Sequence, residues 1–114
     1  MPPFPLRRGI LEEIERERND QVSVNDWSYE HDDQLTEGQL ALAAAGYCQA
    51  STNPTLFYRK DGLLPIHWPT GWIFNPTTPR RDLIKAAALV VAEIERLDRD
   101  HIREIEYLES RGDR

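Results

Sequence analysis

Two groups of residues in this chain could do chemistry by type and spacing. Glu30-His31-Asp32-Asp33 sets four acidic or ligating side chains in one run, and Glu95 and Asp98 share a face if their segment is helical. Carboxylate oxygens suit Mg²⁺ or Mn²⁺, and a divalent ion held this way is what a nucleotide-hydrolysing site needs to neutralise phosphate charge. Glu30, Asp33, Glu95 and Asp98 are therefore the candidate metal ligands, with Mg²⁺ the cofactor they would hold. The competing reading is structural. A chain with 20 Asp and Glu carries acids on any polar loop and solvated helix face, and Asp32 or Asp33 could cap a helix starting near Gln34.

The second group is Arg80 and Arg81, which fall in the first turn of the last helix, where the macrodipole opposes cations by a few tenths of a kcal/mol each. An anionic ligand would offset that. Free N–H groups of a helix start, two guanidinium forks and Lys85 one turn on make a phosphate site, and Trp68, Trp72 and Tyr58 in the preceding loop could stack on a base. The alternative anions are the glutamates of the first helix or the acids of the EHDD run. Other patterns carry no chemistry. No Ser or Cys stands near a His and an acid in a nucleophile arrangement, and neither a phosphate-binding glycine loop nor a CxxC pair occurs. His67 reads as a packed loop residue and Cys48 as core filler. Arg111-Gly112-Asp113 reads as a chance tripeptide in a frayed tail.

The elements that must position these residues are helical, and the expected fold is all-α with three principal helices. Ile10, Leu11 and Ile14 among helix-forming Glu and Arg predict a thin surface helix over 9–19, after a tail over 1–8. Residues 20–35 read as a structured loop anchored by Trp27 and Tyr29. Thr36 as N-cap, with Gln39 as partner in a capping box, predicts a small-residue helix ending by Ala50. Residues 51–78 hold four prolines and two glycines and read as a long aromatic-rich loop. Thr78 then caps a helix with Pro79 at its first position. Leu83, Ala87, Val90, Ile94, Leu97, His101, Ile105 and Leu108 follow in steps of three and four, broadened by Ile84, Ala88, Val91 and Ile102. About 32 residues at 1.5 Å each give roughly 48 Å, against a diameter of roughly 35 Å for a compact domain of this size. The helix should therefore either break or project over about 100–114, and a projecting apolar end has to bury on a second copy or another protein, so a homo-oligomer is expected.

Composition bounds the rest. At 114 residues, 30% charged and 39% hydrophobic, the chain makes one small domain. A net charge of -6 argues against duplex nucleic acid as a partner. No apolar run reaches membrane-spanning length and the N-terminus lacks a signal-peptide core. A lone cysteine fits a reducing cytoplasm.

ERERNDQ at 15–21, W-x-x-EHDD at 27–33, QLALAAAGY at 39–47, HWP with a following GW at 67–72, and RRDLIKAAALVVAEIERLDR at 80–99 resemble a set of small uncharacterised proteins of tailed phages and prophages. The resemblance implies a phage accessory protein in a bacterial cytoplasm, with an insertion around 52–63. A weaker resemblance is to the all-α nucleotide pyrophosphohydrolases of the MazG type, through the ExxD spacings at Glu30 to Asp33 and Glu95 to Asp98. Their EExxE motif is broken here, because Glu12-Glu13 is followed by Arg16. The expected function is thus a phage-type accessory protein that binds a nucleotide-like anion or a host protein. A Mg²⁺-dependent pyrophosphohydrolase and a purely structural interaction protein are the alternatives.

Overall fold

A computed structural model describes residues 6–23, 28–53 and 64–112. Helices α1 (Arg7–Ser23), α2 (Tyr29–Asp33), α3 (Gln39–Thr52) and α4 (Pro79–Ser110) account for most of them, and no strand occurs among the described residues. The fold is all-α. Tyr58, Trp27 and the insertion at 54–63 lie outside the described residues.

The longest element begins where its sequence says it should. Thr78 Oγ1 accepts from the Arg81 N–H at 3.3 Å, satisfying one of the unpaired donors of the first turn, and Pro79 follows it. The start of α3 lies later than a Thr36 cap predicts. Gly38, with φ of 79°, takes the N-cap position, and the Gln39 side-chain oxygen reaches back to the Glu37 N–H at 2.8 Å. At its other end Ser51 and Thr52 donate to the carbonyls of Cys48 and Gln49, which carries the helix just past Ala50.

The stretch expected as loop over 20–35 is partly helical. α1 runs on to Ser23, and α2 is capped by Ser28, whose Oγ accepts from the His31 N–H at 3.1 Å. Asp32 and Asp33 therefore lie inside α2 and do not cap a helix at Gln34. α1 outruns its apolar pattern because the residues it buries in its second half, Glu17, Arg18 and Gln21, are polar.

α4 is the spine against which α1, α2 and α3 all pack. Its main partner is α3, and the core is Leu40, Ala43, Ala44 and Tyr47 against Ala86, Leu89 and Ala92, with Leu35, Trp68, Trp72 and Phe74 closing one side. Alanines on both helices permit the close approach. Gly46 serves the same end: a Cβ there would stand 2.7 Å from Trp68 Cε3.

The apolar stripe of α4 is the notable difference from expectation. Ile84, Ala88, Leu89 and Ala92 face the core, whereas Leu83, Val90, Ile94 and Leu97 are each about half exposed. At 100° per residue the two sets lie on opposite sides of the helix. The small side chains go inward because α3 is alanine-rich, and the larger ones are left outside. From Asp100 to Gly112 every residue is exposed, so the end of α4 projects. The radius of gyration, 17.0 Å, exceeds the ~13 Å of a compact chain of this length.

Candidate functional site

Arg80 and Arg81 both turn toward α1. The Arg80 fork is bidentate on Glu13, Nη1 to Oε2 at 2.9 Å and Nη2 to Oε1 at 2.8 Å, and Arg81 Nη2 pairs with Glu17 Oε1. The Arg80 hydrogen bond holds the Glu13 carboxyl below its usual pKa, and Glu13 in turn raises that of Arg80. The anions that offset the helix dipole are carboxylates of this chain.

Trp68 and Trp72 turn to α3 instead. Pro65 to Trp68 and Pro69 to Trp72 form two successive turns, with His67 (φ 65°) and Gly71 (φ 85°) at the left-handed positions. The turns lock together through Trp68 Nε1, which donates to the Trp72 carbonyl at 2.9 Å. Trp68 meets Phe74 with centroids 4.8 Å apart and Tyr47 edge-on at 5.6 Å. These rings do not form a stack beside the arginines. Trp68, Trp72 and Tyr47, together with His31, Gly71 and Ile73, line an open chamber of about 320 Å³.

Lys85 lies at a second cavity, about 380 Å³, lined also by Glu17, Gln21, Tyr47, Ile73, Asn75 and Leu89. Its Nζ donates to the Asn75 carbonyl at 2.9 Å and sits 5.3 Å from the Tyr47 ring centroid. Burial pushes the Lys85 pKa down and that of Tyr47 up. The Tyr47 hydroxyl accepts from the Asn75 N–H at 3.3 Å.

The carboxylates proposed as metal ligands are spread among arginines. Arg18 Nε donates to Glu95 at 2.8 Å and its Nη2 to Asp32 at 2.9 Å. Asp33 accepts from Arg99 Nε at 2.9 Å and from Arg103 Nη2. Glu30 and Asp98 are exposed. Among the described residues no group of three or more His, Cys, Asp or Glu side chains is placed to hold a metal ion. The EHDD helix is strapped by these ion pairs to α1 and α4, and the Tyr29 ring lies 4.7 Å from the Arg99 guanidinium carbon.

Sequence reasoning passed over Arg18, Gln21, Tyr47 and Asp82. Arg18, Gln21 and Asp82 are buried polar residues, and Asp82 Oδ1 accepts from the Thr77 N–H at 2.9 Å. Only Asp82, an acid in a first helical turn, carried a local signal.

The outer face of α4 is an exposed apolar stripe. Leu83, Val90, Ile94, Leu97, Ile105 and Leu108 are between 42% and 52% exposed, and Ile102 and Val91 flank them. No described helix is long and apolar enough to cross a membrane. Comparison of the chain with family models, with curated proteins and with solved structures finds no match.

Proposed function

We propose that the chain is an interaction protein that works through the outer face of α4, and that the first occupant of that face is a second copy of the chain in antiparallel alignment. The observation that carries this reading is the exposed stripe from Leu83 to Leu108, on the side of α4 opposite the core. Covering it on two copies removes a continuous row of half-exposed Leu, Val and Ile side chains from water on each. Leu83, Ala87, Val90, Ile94, Leu97 and His101 keep the alternating steps of four and three that one helix needs to seat along another.

Charge and shape both favour the antiparallel alignment. Glu104, Glu106 and Glu109 are exposed on the projecting end. Parallel pairing would set them against the same glutamates of the partner, whereas antiparallel pairing keeps the two sets of glutamates apart. The projecting end of each copy then covers the exposed half of the other. The resemblance to small tailed-phage proteins adds a setting, a phage accessory factor in the cytoplasm of a bacterial host, with a host protein as a further partner of the dimer. An anionic ligand between Arg80 and Arg81 has less support, since Glu13 and Glu17 occupy both groups. A Mg²⁺-dependent hydrolase has less support for the same kind of reason, since Glu95 and Asp33 are engaged by arginines.

Light scattering at tens of micromolar tests the proposal. The expected mass is about twice 13.2 kDa, falling to the monomer value in Ile94→Asp with Ile105→Asp while helical content is retained. A monomeric wild type, or a double variant that stays dimeric, would remove it.

A further inference from the structure

Between the first half of α1 and α4 runs a groove of about 300 Å³, lined by Leu11, Ile14 and Arg18 from α1 and by Val91 and Glu95 from α4. Here α1 leaves the core. Its second half buries Glu17, Arg18 and Gln21, whereas Ile10 and Leu11 are 42% and 57% exposed and Leu6, just ahead of it, is 50% exposed. These residues belong to a helix beside the outer stripe of α4, and pairing of the stripe alone does not bury them. Two apolar residues of α4 also stand off the stripe, Val91 at 36% and Ile102 at 52% exposure. They are eleven residues apart, three turns and about 20°, so Ile102 continues the row of α4 that meets α1 and is left exposed beyond it.

We infer that this groove seats Ile102 of a second copy, which makes the first half of α1 a second wall of the interface between copies. The inference rests on the antiparallel pairing of α4 proposed above. Laying the stripe from Leu83 to Leu108 antiparallel on its own copy sets the partner's Ile102 level with Leu89, two residues or about 3 Å along the axis from Val91. A two-fold axis between antiparallel helices also joins like flanks, so the flank that carries the partner's Ile102 turns toward the flank on which Val91 meets α1. Charge agrees with this seat. Over 100–110 the projecting end carries Asp100, Glu104, Glu106 and Glu109 against Arg103, with no base in its last turn. α1 opens on Arg7 and Arg8 with no acid in its first turn, and the glutamates that follow, Glu12 and Glu13, are engaged by Arg8 and Arg80. Each end has the sign that its own helix dipole disfavours, and the two offset each other when they meet.

Mixing two single-cysteine chains in a Cys48→Ser background tests the seat, with one chain ¹⁵N-labelled so that mass identifies the mixed product. Leu11→Cys and Ile102→Cys should be joined between copies by a short bismaleimide. Leu64→Cys, 52% exposed in the loop beside α3, should give at least tenfold less mixed product with Ile102→Cys. Leu11→Asp, at a position more than half exposed, should leave helical content unchanged and weaken the dimer at least tenfold in light scattering on dilution. If Leu11→Asp loses helical content, Leu11→Ser is read the same way. A monomeric wild type overturns this inference together with the pairing it rests on. A dimer in which Leu11→Cys couples no better than Leu64→Cys, or which the Leu11 substitution weakens less than tenfold, overturns this inference alone.

Discussion

Arg18 on α1 and Asp32 on α2 form an ion pair with both side chains out of solvent: Nη2 donates to Oδ2 at 2.9 Å, and the side chains are 6% and 0% exposed. A buried pair of this kind is weak evidence of net stabilisation, but breaking one is costly because the surviving charge is left without its partner. Arg18→Met should therefore lower stability by about 3–5 kcal/mol in chemical denaturation. Arg18→Met combined with Asp32→Leu should recover much of that loss, since it removes both charges together, and a double variant as unstable as the single one would contradict the account.

Gly46 is a spacer within α3. An alanine Cβ would lie 2.7 and 2.9 Å from two Trp68 ring carbons and 3.0 Å from Pro65 Cγ. Alanine is the better helix former by about 1 kcal/mol, while overpacking costs about 1–3 kcal/mol, so the two effects oppose. The ring is held by Phe74, Tyr47 and its bond to the Trp72 carbonyl, and it cannot retreat without disturbing all three. Gly46→Ala should destabilise by up to about 2 kcal/mol and alter tryptophan fluorescence, and a more stable variant would show that the loop yields freely.

Glu13 links stability to acid pH. Its hydrogen bond to Arg80 lowers its pKa in the folded chain below the ordinary 4.5, so around that pH the folded state binds fewer protons than the unfolded one. The stabilisation is complete above 4.5 and is lost as pH falls through the folded value. Wild type should melt higher than Glu13→Gln at neutral pH, and the difference should shrink as the pH falls below 4.5. A difference that persists unchanged in acid would mean that the charge on Glu13 is not the cause.

The parts of the fold that were legible in sequence are those set by local signals. Thr78 and Pro79 mark the start of α4, and its length follows from an unbroken run of helix formers to Ser110. The second half of α1 and the whole of α2 were read as loop because their burial runs through Arg18, Gln21 and Asp32, and charged or amide residues leave no apolar period. The side of α4 that faces the core was not legible for the opposite reason. Both sides are apolar over 83–97, and only the alanine-rich partner α3 decides that small residues go inward. For the candidate sites, sequence spacing could bring acids or arginines together on one helix but could not show which residues of α1 would meet them, because Glu13, Glu17 and Arg18 are more than sixty positions from Arg80, Arg81 and Glu95.

The antiparallel pairing of α4 is tested most directly by a distance between two copies. In a Cys48→Ser background, which removes the exposed native thiol, a spin label at Ser110→Cys sits on the projecting end, away from the stripe. With 1.5 Å of rise per residue and the pair centred near Ile94 to Leu97, the two labels should lie roughly 45 Å apart, whereas parallel helices would hold them within about 25 Å. A pulsed electron–electron resonance distribution centred near the longer distance is the predicted result; the shorter distance, or no inter-copy distance at all, would contradict it.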